Sequence, residues 1–396
     1  MRRYKSLLVS TILAASLCAC GVGTETGSAN SQGETNSEDS ISSAAGGEQV
    51  ESDTVVEGSQ ENSGSVDFEP VSGGIDATEA MIGEKVDVDK TETEITYDIM
   101  SDGPADLSEY PSIQPGEVLT EKAVYTDKYG DTAVIPAQFK VSEERTEQNI
   151  SQGLVVIGPD GSEFVWIPTT VTELEQRDFG SYFFGGGISS YYDETDLDSY
   201  KAMENSCEKY GGFYMGRYEA SYGGGNSRED YLPVSKEVNK DNHLQIWVQF
   251  SPQDTVYACE NIYSDNATVQ GFFPWGVNYD TTLQWLVDSG CLTSADVQSD
   301  STSWGNYSND TFSEKANGKY TGIYEEANTN NIYDLAGNNW EWTQERNGSN
   351  YVMRGGGYNL MGGSCKGSDY PAAVRDPLPG NNHHPNVCFR VGLYVV

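Results

Sequence analysis

The sequence predicts an α+β domain, rich in loops, with short antiparallel strands and few helices. Three observations predict it. Two apolar runs each fold back on a glycine-containing turn. One window carries helix start and stop signals. Only the residues after about position 95 have the apolar patterning that a core requires.

The elements follow in chain order. Arg2, Arg3 and Lys5 form a basic start, and Leu7 through Leu17 a short apolar run. The run is too short to span a bilayer, which takes roughly 20 apolar residues, and has the layout of a signal peptide over residues 1–19. It ends Leu17-Cys18-Ala19-Cys20-Gly21, which resembles the bacterial lipobox. The resemblance implies export, cleavage before Cys20, and acyl chains on that cysteine that hold the protein on the extracellular face of a bacterial membrane. Several chains are needed for stable anchoring. Residues 20–95 consist mainly of Ser, Glu, Gly, Asn, Thr and Asp, with Phe68 their one aromatic before the patterned region. Such a segment cannot bury enough apolar surface to offset the entropy of ordering it. Its acidity favours extension, so it is expected to be a disordered tether.

Residues 96–396 are expected to form one head domain. Val124-Tyr125-Thr126 and Thr132-Ala133-Val134-Ile135 flank Lys128-Tyr129-Gly130-Asp131, the pattern of a hairpin. Gly153 to Ile157, then Gly158-Pro159-Asp160-Gly161, then Glu163 to Ile167 predict a second. Leu283 to Val287 predicts a short helix, with Thr281 and Thr282 as caps and Gly290 at its end. No internal repeat is visible.

Charge and composition exclude some functions. With 23 Lys+Arg and 61 Asp+Glu, the net charge is 23 − 61 = −38, which repels phosphate backbones and argues against nucleic-acid binding. Three histidines leave few general bases and few imidazole metal ligands.

Five segments stand in a recognisable order. They are Glu163-Phe-Val-Trp-Ile-Pro168, Gly211 to Ala220, Trp304-Gly-Asn-Tyr307, Ile332 to Thr343 with its Asp-Leu-Ala-Gly-Asn-Asn-Trp-Glu-Trp-Thr block, and Arg354-Gly-Gly356 with a terminal Phe389-Arg-Val391. From about residue 120 onward the chain resembles the formylglycine-generating-enzyme (sulfatase-modifying factor) family. The resemblance implies a C-type-lectin-like fold. Gly337 and Asn338 suit a left-handed turn before the Trp-Glu-Trp strand. On a strand, Trp340 and Trp342 share one face and Glu341 takes the other, and core packing accounts for the indoles. The resemblance further implies a structural Ca²⁺ held by Glu341 with groups at Ala336, Gly337 and Asn339, a hard oxygen set suited to that ion. The alternative is a surface or salt-bridged Glu341.

The family's copper-dependent oxidation, which activates sulfatases, uses two cysteines five apart after Arg-Gly-Gly. Here the first position holds Leu360 and the second Cys365. One thiolate does not make a two-coordinate Cu(I) site, so the chain is expected to be a non-catalytic member; Cys365 would be catalytic only if the oxidase reading held. Five cysteines follow Cys20. Cys259 with Cys291 and Cys365 with Cys388 are pairings open to an exported chain, and free buried thiols are the alternative.

Residues 357–388 hold Tyr, Asn, Ser, Gly and His with no Glu or Gln, and lie between Arg354-Gly-Gly356 and Phe389-Arg-Val391. Tyr offers contact area at low entropy cost, and Ser, Gly and Asn adapt their hydrogen bonds, as on binding surfaces. The segment resembles the variable region of target proteins of diversity-generating retroelements. In those, adenine randomisation turns Asn codons into Asn, Ser, Tyr, Asp, His, Gly and others, as in Asn381-Asn382-His383-His384-Pro385-Asn386. The expected ligand face is Tyr358, Asn359, Leu360, Ser364, Ser368, Asp369, Tyr370, Asp376, Asn381, Asn382, His383, His384 and Asn386. The expected partner is a protein or glycan on another surface, bound without a required cofactor.

Overall fold

The computed structural model describes residues 103–145, 149–176, 179, 190–308, 318–360, 363–364, 366–381 and 383–396. The signal peptide, the tether, Cys20, Asn382 and Cys365 lie outside these residues. Among the described residues, no helix is long and apolar enough to cross a membrane. The fold mixes helix and sheet, is rich in strands and has few helices.

Both expected hairpins are present. Ala123–Thr126 (β1) pairs antiparallel with Thr132–Ile135 (β2). The Asp127 carboxylate closes their turn by accepting the N–H groups of Tyr129 and Asp131 at 2.8 and 3.0 Å, as Asx turns do. Val155–Ile157 (β4) pairs with Glu163–Pro168 (β5) across a turn where Gly161 adopts φ +84°. These two strands belong to a six-stranded antiparallel sheet. Its order is Val269–Phe272 (β10), Gly392–Val395 (β19), Gly212–Gly216 (β7), β5, β4 and Lys140–Val141 (β3). Phe164, Val165, Trp166 and Ile167 are all fully buried. The sheet is therefore covered on both faces, which is why β5 reads as an unbroken apolar run.

Among the described residues there are five α-helices: Val171–Gln176 (α1), Asp198–Tyr210 (α2), Pro252–Asn261 (α3), Gly276–Asp288 (α4) and Ser294–Gln298 (α5). The helix expected at Leu283–Val287 starts earlier. The backbone N–H of Trp275 donates to Asn278 at its first turn, and the Asp193 carboxylate accepts from Gly276 and Val277 at 3.0 and 2.9 Å. Thr282 is not a cap; its hydroxyl donates to the Asn278 carbonyl inside the helix.

A second sheet carries the family-like block. Its order is Asp376–Pro379 (β17), Asn350–Arg354 (β14), Trp340–Asn347 (β13) and Val387–Phe389 (β18), with Tyr191–Tyr192 (β6) on the end of β13. The β13–β18 pair is parallel. Among the described residues there are also three short strand pairs: Ser221–Gly224 (β8) with Leu232–Val234 (β9), Asn328–Thr329 (β11) with Ile332–Tyr333 (β12), and Asn359–Leu360 (β15) with Gly363–Ser364 (β16). Trp340 and Trp342 are buried in the core. Gly337 and Asn338 both have positive φ, forming the left-handed turn before them. Cys259 and Cys291 are not joined, and Cys207, Cys259 and Cys388 are buried free thiols. Such thiols pack in the core as small apolar groups.

Candidate functional site

The C-terminal segment is set in a frame of three buried arginines. Arg354, Arg375 and Arg390 are each 2% exposed or less. Arg354 ends β14 and reaches Asp280 of α4 and, at 3.1 Å, Glu345 of β13. Arg375 bonds the same two carboxylates, with its Nε 2.6 Å from Glu345, and donates to the Phe179 carbonyl. Two guanidiniums and two carboxylates thus form a charge-balanced quartet away from water. Such a quartet adds little net stability over apolar packing, but losing one member strands a buried charge.

The third arginine serves a less balanced cluster. Arg390 holds both oxygens of Glu341, at 2.5 and 3.2 Å, and donates to the carbonyls of Gly216 and Tyr333. Glu219 and Asp334 are buried nearby. Burial pushes the carboxyls of Glu219, Asp334 and Glu341 above their ordinary range. Asp334 raises Glu219 and Glu341 further, and Arg390 opposes the rise in all three. Glu219 accepts from the side chain of Asn338 at 2.6 Å and the backbone of Asn339 at 2.9 Å. These contacts bear on the calcium expectation. Both Glu341 oxygens are taken by a guanidinium, the Ala336 carbonyl accepts the Asn306 N–H, and the Asn339 side chain bonds Glu219 and Gly318. Ala336, Gly337, Asn339 and Glu341 do not fit a calcium ion, because the cationic place is already filled from within the chain. Among the described residues, no group of three or more His, Cys, Asp or Glu side chains is arranged to hold a metal.

The expected ligand face divides in two. Residues 371–376 are buried, with Ala372 and Ala373 fully so, and Arg375 pins them to the quartet. Asp376 does not belong on an exposed face: it pairs with Met353 in the sheet and is 5% exposed, and burial pushes its carboxyl up to about 6. On one side of this inset, Ser368 and Asp369 are exposed and Tyr370 is half-buried, its ring edge-on to Trp340 at 5.8 Å. On the other side, Asn381 and His383 are exposed, and His384 and Asn386 half-buried. The two loops meet over Trp340. The backbone N–H of Trp340 donates to the Asn386 carbonyl at 3.1 Å, and the half-buried Tyr358 hydroxyl to the Asn386 side chain at 3.4 Å. Asn359, Leu360 and Ser364 lie on the β15–β16 hairpin. Eleven of the thirteen residues are therefore placed on two loops and a hairpin, Asp376 is buried, and Asn382 lies outside the described residues.

Several partners were not legible as such. Gln249 donates its N–H to the His384 carbonyl at 3.1 Å, and its own carbonyl lies 3.1 Å from Nδ1 of His383. This ties the second loop to the segment carrying Trp247. The Ser-Pro-Gln-Asp start of α3 (Ser251 to Asp254) is a capping signal that sequence patterning could have found. As for redox chemistry, burial and Glu219 push the Cys388 thiol well up, so it is a poor source of the thiolate that copper binds.

No family model and no curated protein matches the chain. Among solved structures, it is similar to the crystal structure of CarF, at 14% identity and TM-score 0.29, over 47% of this chain and 87% of that one. It is also similar to Treponema denticola variable protein 1, at 13% identity and TM-score 0.22, over 68% of this chain and 98% of that one. Likenesses at these TM-scores carry no argument about what the chain does.

Proposed function

We propose that the protein is a surface lipoprotein, held on the membrane by lipid at Cys20, whose C-type-lectin-like head binds a protein or glycan on another surface through the loops around Tyr358–Tyr370 and Asn381–Asn386. One observation carries the reading. Fully buried Arg354, Arg375 and Arg390 hold the segment in place, while Ser368, Asp369, Asn381 and His383 face solvent. A fixed frame with exposed polar tips lets tip residues change at little cost to the fold, since surface substitutions typically move stability by no more than about 0.5 kcal/mol. This is also the requirement for a retroelement-diversified face.

The proposal is tested in two parts. Full-length protein is screened against glycans and cell-surface proteins, with a variant carrying Gly/Ser in place of residues 381–386. Binding that the variant retains in full would refute the assignment. For the anchor, labelled palmitate should enter the wild-type chain and not Cys20→Ser. A coding region with neither an adjacent near-repeat nor a nearby reverse transcriptase would remove the diversification part alone.

A further inference from the structure

Six of the chain's seven tryptophans are buried, at 6% exposure or less; Trp247 alone is half-buried. It sits beside Tyr222, which is 45% exposed. The two rings stand 5.0 Å apart at 82°, making a right-angled corner. The corner is rigid. Tyr231, Phe250 and Phe389 back the indole at 5.5, 4.4 and 5.8 Å. The backbone N–H of Trp247 donates to the Ala220 carbonyl at 2.8 Å, the backbone N–H of Tyr222 to the Gln245 carbonyl at 3.2 Å, and the Tyr222 hydroxyl to the Gly225 carbonyl. Rings already held in place give contact area without the entropy cost of ordering them.

The corner is bordered by neutral polar side chains on one side and by the 225–232 segment, with exposed Leu232 and Asp230, on the other. Gln245, Gln249 and His383 are exposed around it, and each can both donate and accept hydrogen bonds. Cations on neighbouring loops are engaged elsewhere, Arg228 with Asp254 and Lys236 with the Asp160 carbonyl. A sugar ring suits this combination. Its C–H face packs on an aromatic ring, and its hydroxyls need partners that donate and accept. A carboxylated or sulfated sugar would find no matching charge on so acidic a chain.

We infer that Tyr222, Trp247 and Gln249 form a binding site for a neutral oligosaccharide, the unvaried half of a face whose other half is the 381–386 loop. Only that second half rests on the proposed function. The test titrates the full-length chain, in detergent micelles, with maltoheptaose, cellohexaose and chitohexaose. Calorimetry reads binding, and acrylamide quenching of tryptophan emission reads the corner, because Trp247 is the indole that quencher can reach. One of the three should bind and shield the emission. Tyr222→Ala and Gln249→Ala should each weaken binding about tenfold, equivalent to about 1.4 kcal/mol, at unchanged Tm. Trp247→Phe should abolish the quenching change and keep calorimetric binding. Absence of binding by all three sugars, or binding indifferent to Tyr222→Ala, overturns the inference. If Gly/Ser replacement of 381–386 leaves sugar binding intact, the corner stands as a site and the loop's role falls. A protein ligand lost on Tyr222→Ala, with no sugar competing, overturns the sugar assignment.

Discussion

The frame of the C-terminal segment and the loops it carries follow opposite rules. In the frame, every guanidinium is answered inside the protein: Arg354 and Arg375 by Asp280 and Glu345, Arg390 by Glu341. In the loops, Ser368, Asp369, Asn381 and His383 stand at the surface. The difference separates what the fold needs from what a ligand would need. It also distinguishes the two charge clusters. The quartet is balanced, two against two, whereas Arg390 faces an excess of carboxylates.

Breaking the balanced quartet should cost most. Arg354→Ala leaves Asp280 and Glu345 short of a guanidinium and should lower stability by about 3–5 kcal/mol in urea denaturation. Glu341→Gln keeps the shape but removes the charge answering Arg390, and should cost about 1–3 kcal/mol in the same assay.

The pH response comes next. Asp193 and Asp376 are raised from an ordinary 3.8 to about 7 and about 6, both first by burial, with Glu345 adding to Asp193. A raised acid holds its proton more tightly when folded. Its stabilising contribution is therefore full below the unfolded value and lost as pH rises through the folded one. Tm should fall between about pH 4 and 7, and Asp193→Asn, which cannot ionise, should flatten the part of that fall above about pH 6, where Asp376 has already ionised. Unchanged steepness in the variant would remove Asp193 as its source. Glu219→Gln removes one acid from the acid-rich cluster and should change stability at pH 8 by less than about 1 kcal/mol, well short of Glu341→Gln. Smallest of all, Ser368→Ala and Asn381→Ala should leave stability within about 0.5 kcal/mol.

The sequence disclosed what is local. Both hairpins were legible because Asp127 and Gly161 have turn chemistry that acts within a few residues. Trp340 and Trp342 were legible as core by their alternation, and Glu341 by its opposite face. That this face is also buried was not, because the answering Arg390 lies 49 residues away. The loop face was legible by composition, but the inset at 371–376 was not: Arg375 resembles any surface arginine until α4 and β13 bring Asp280 and Glu345 to it. The true start of α4 was missed for a similar reason, since its capping carboxylate, Asp193, is 83 residues distant. The corner at Trp247 was invisible because its rings come from β8, the residue before β9, the segment before α3 and β18.

The most direct test of the division between frame and loops measures affinity and stability on the same variants. Full-length wild type and a variant with Gly/Ser at residues 381–386 are compared for Tm and for Kd toward the ligand that the surface screen delivers. The account predicts an unchanged Tm with affinity weakened by at least about a hundredfold, or about 2.7 kcal/mol. An unchanged Kd, or a Tm that falls along with it, would contradict the claim that the frame holds the fold and the loops hold the ligand.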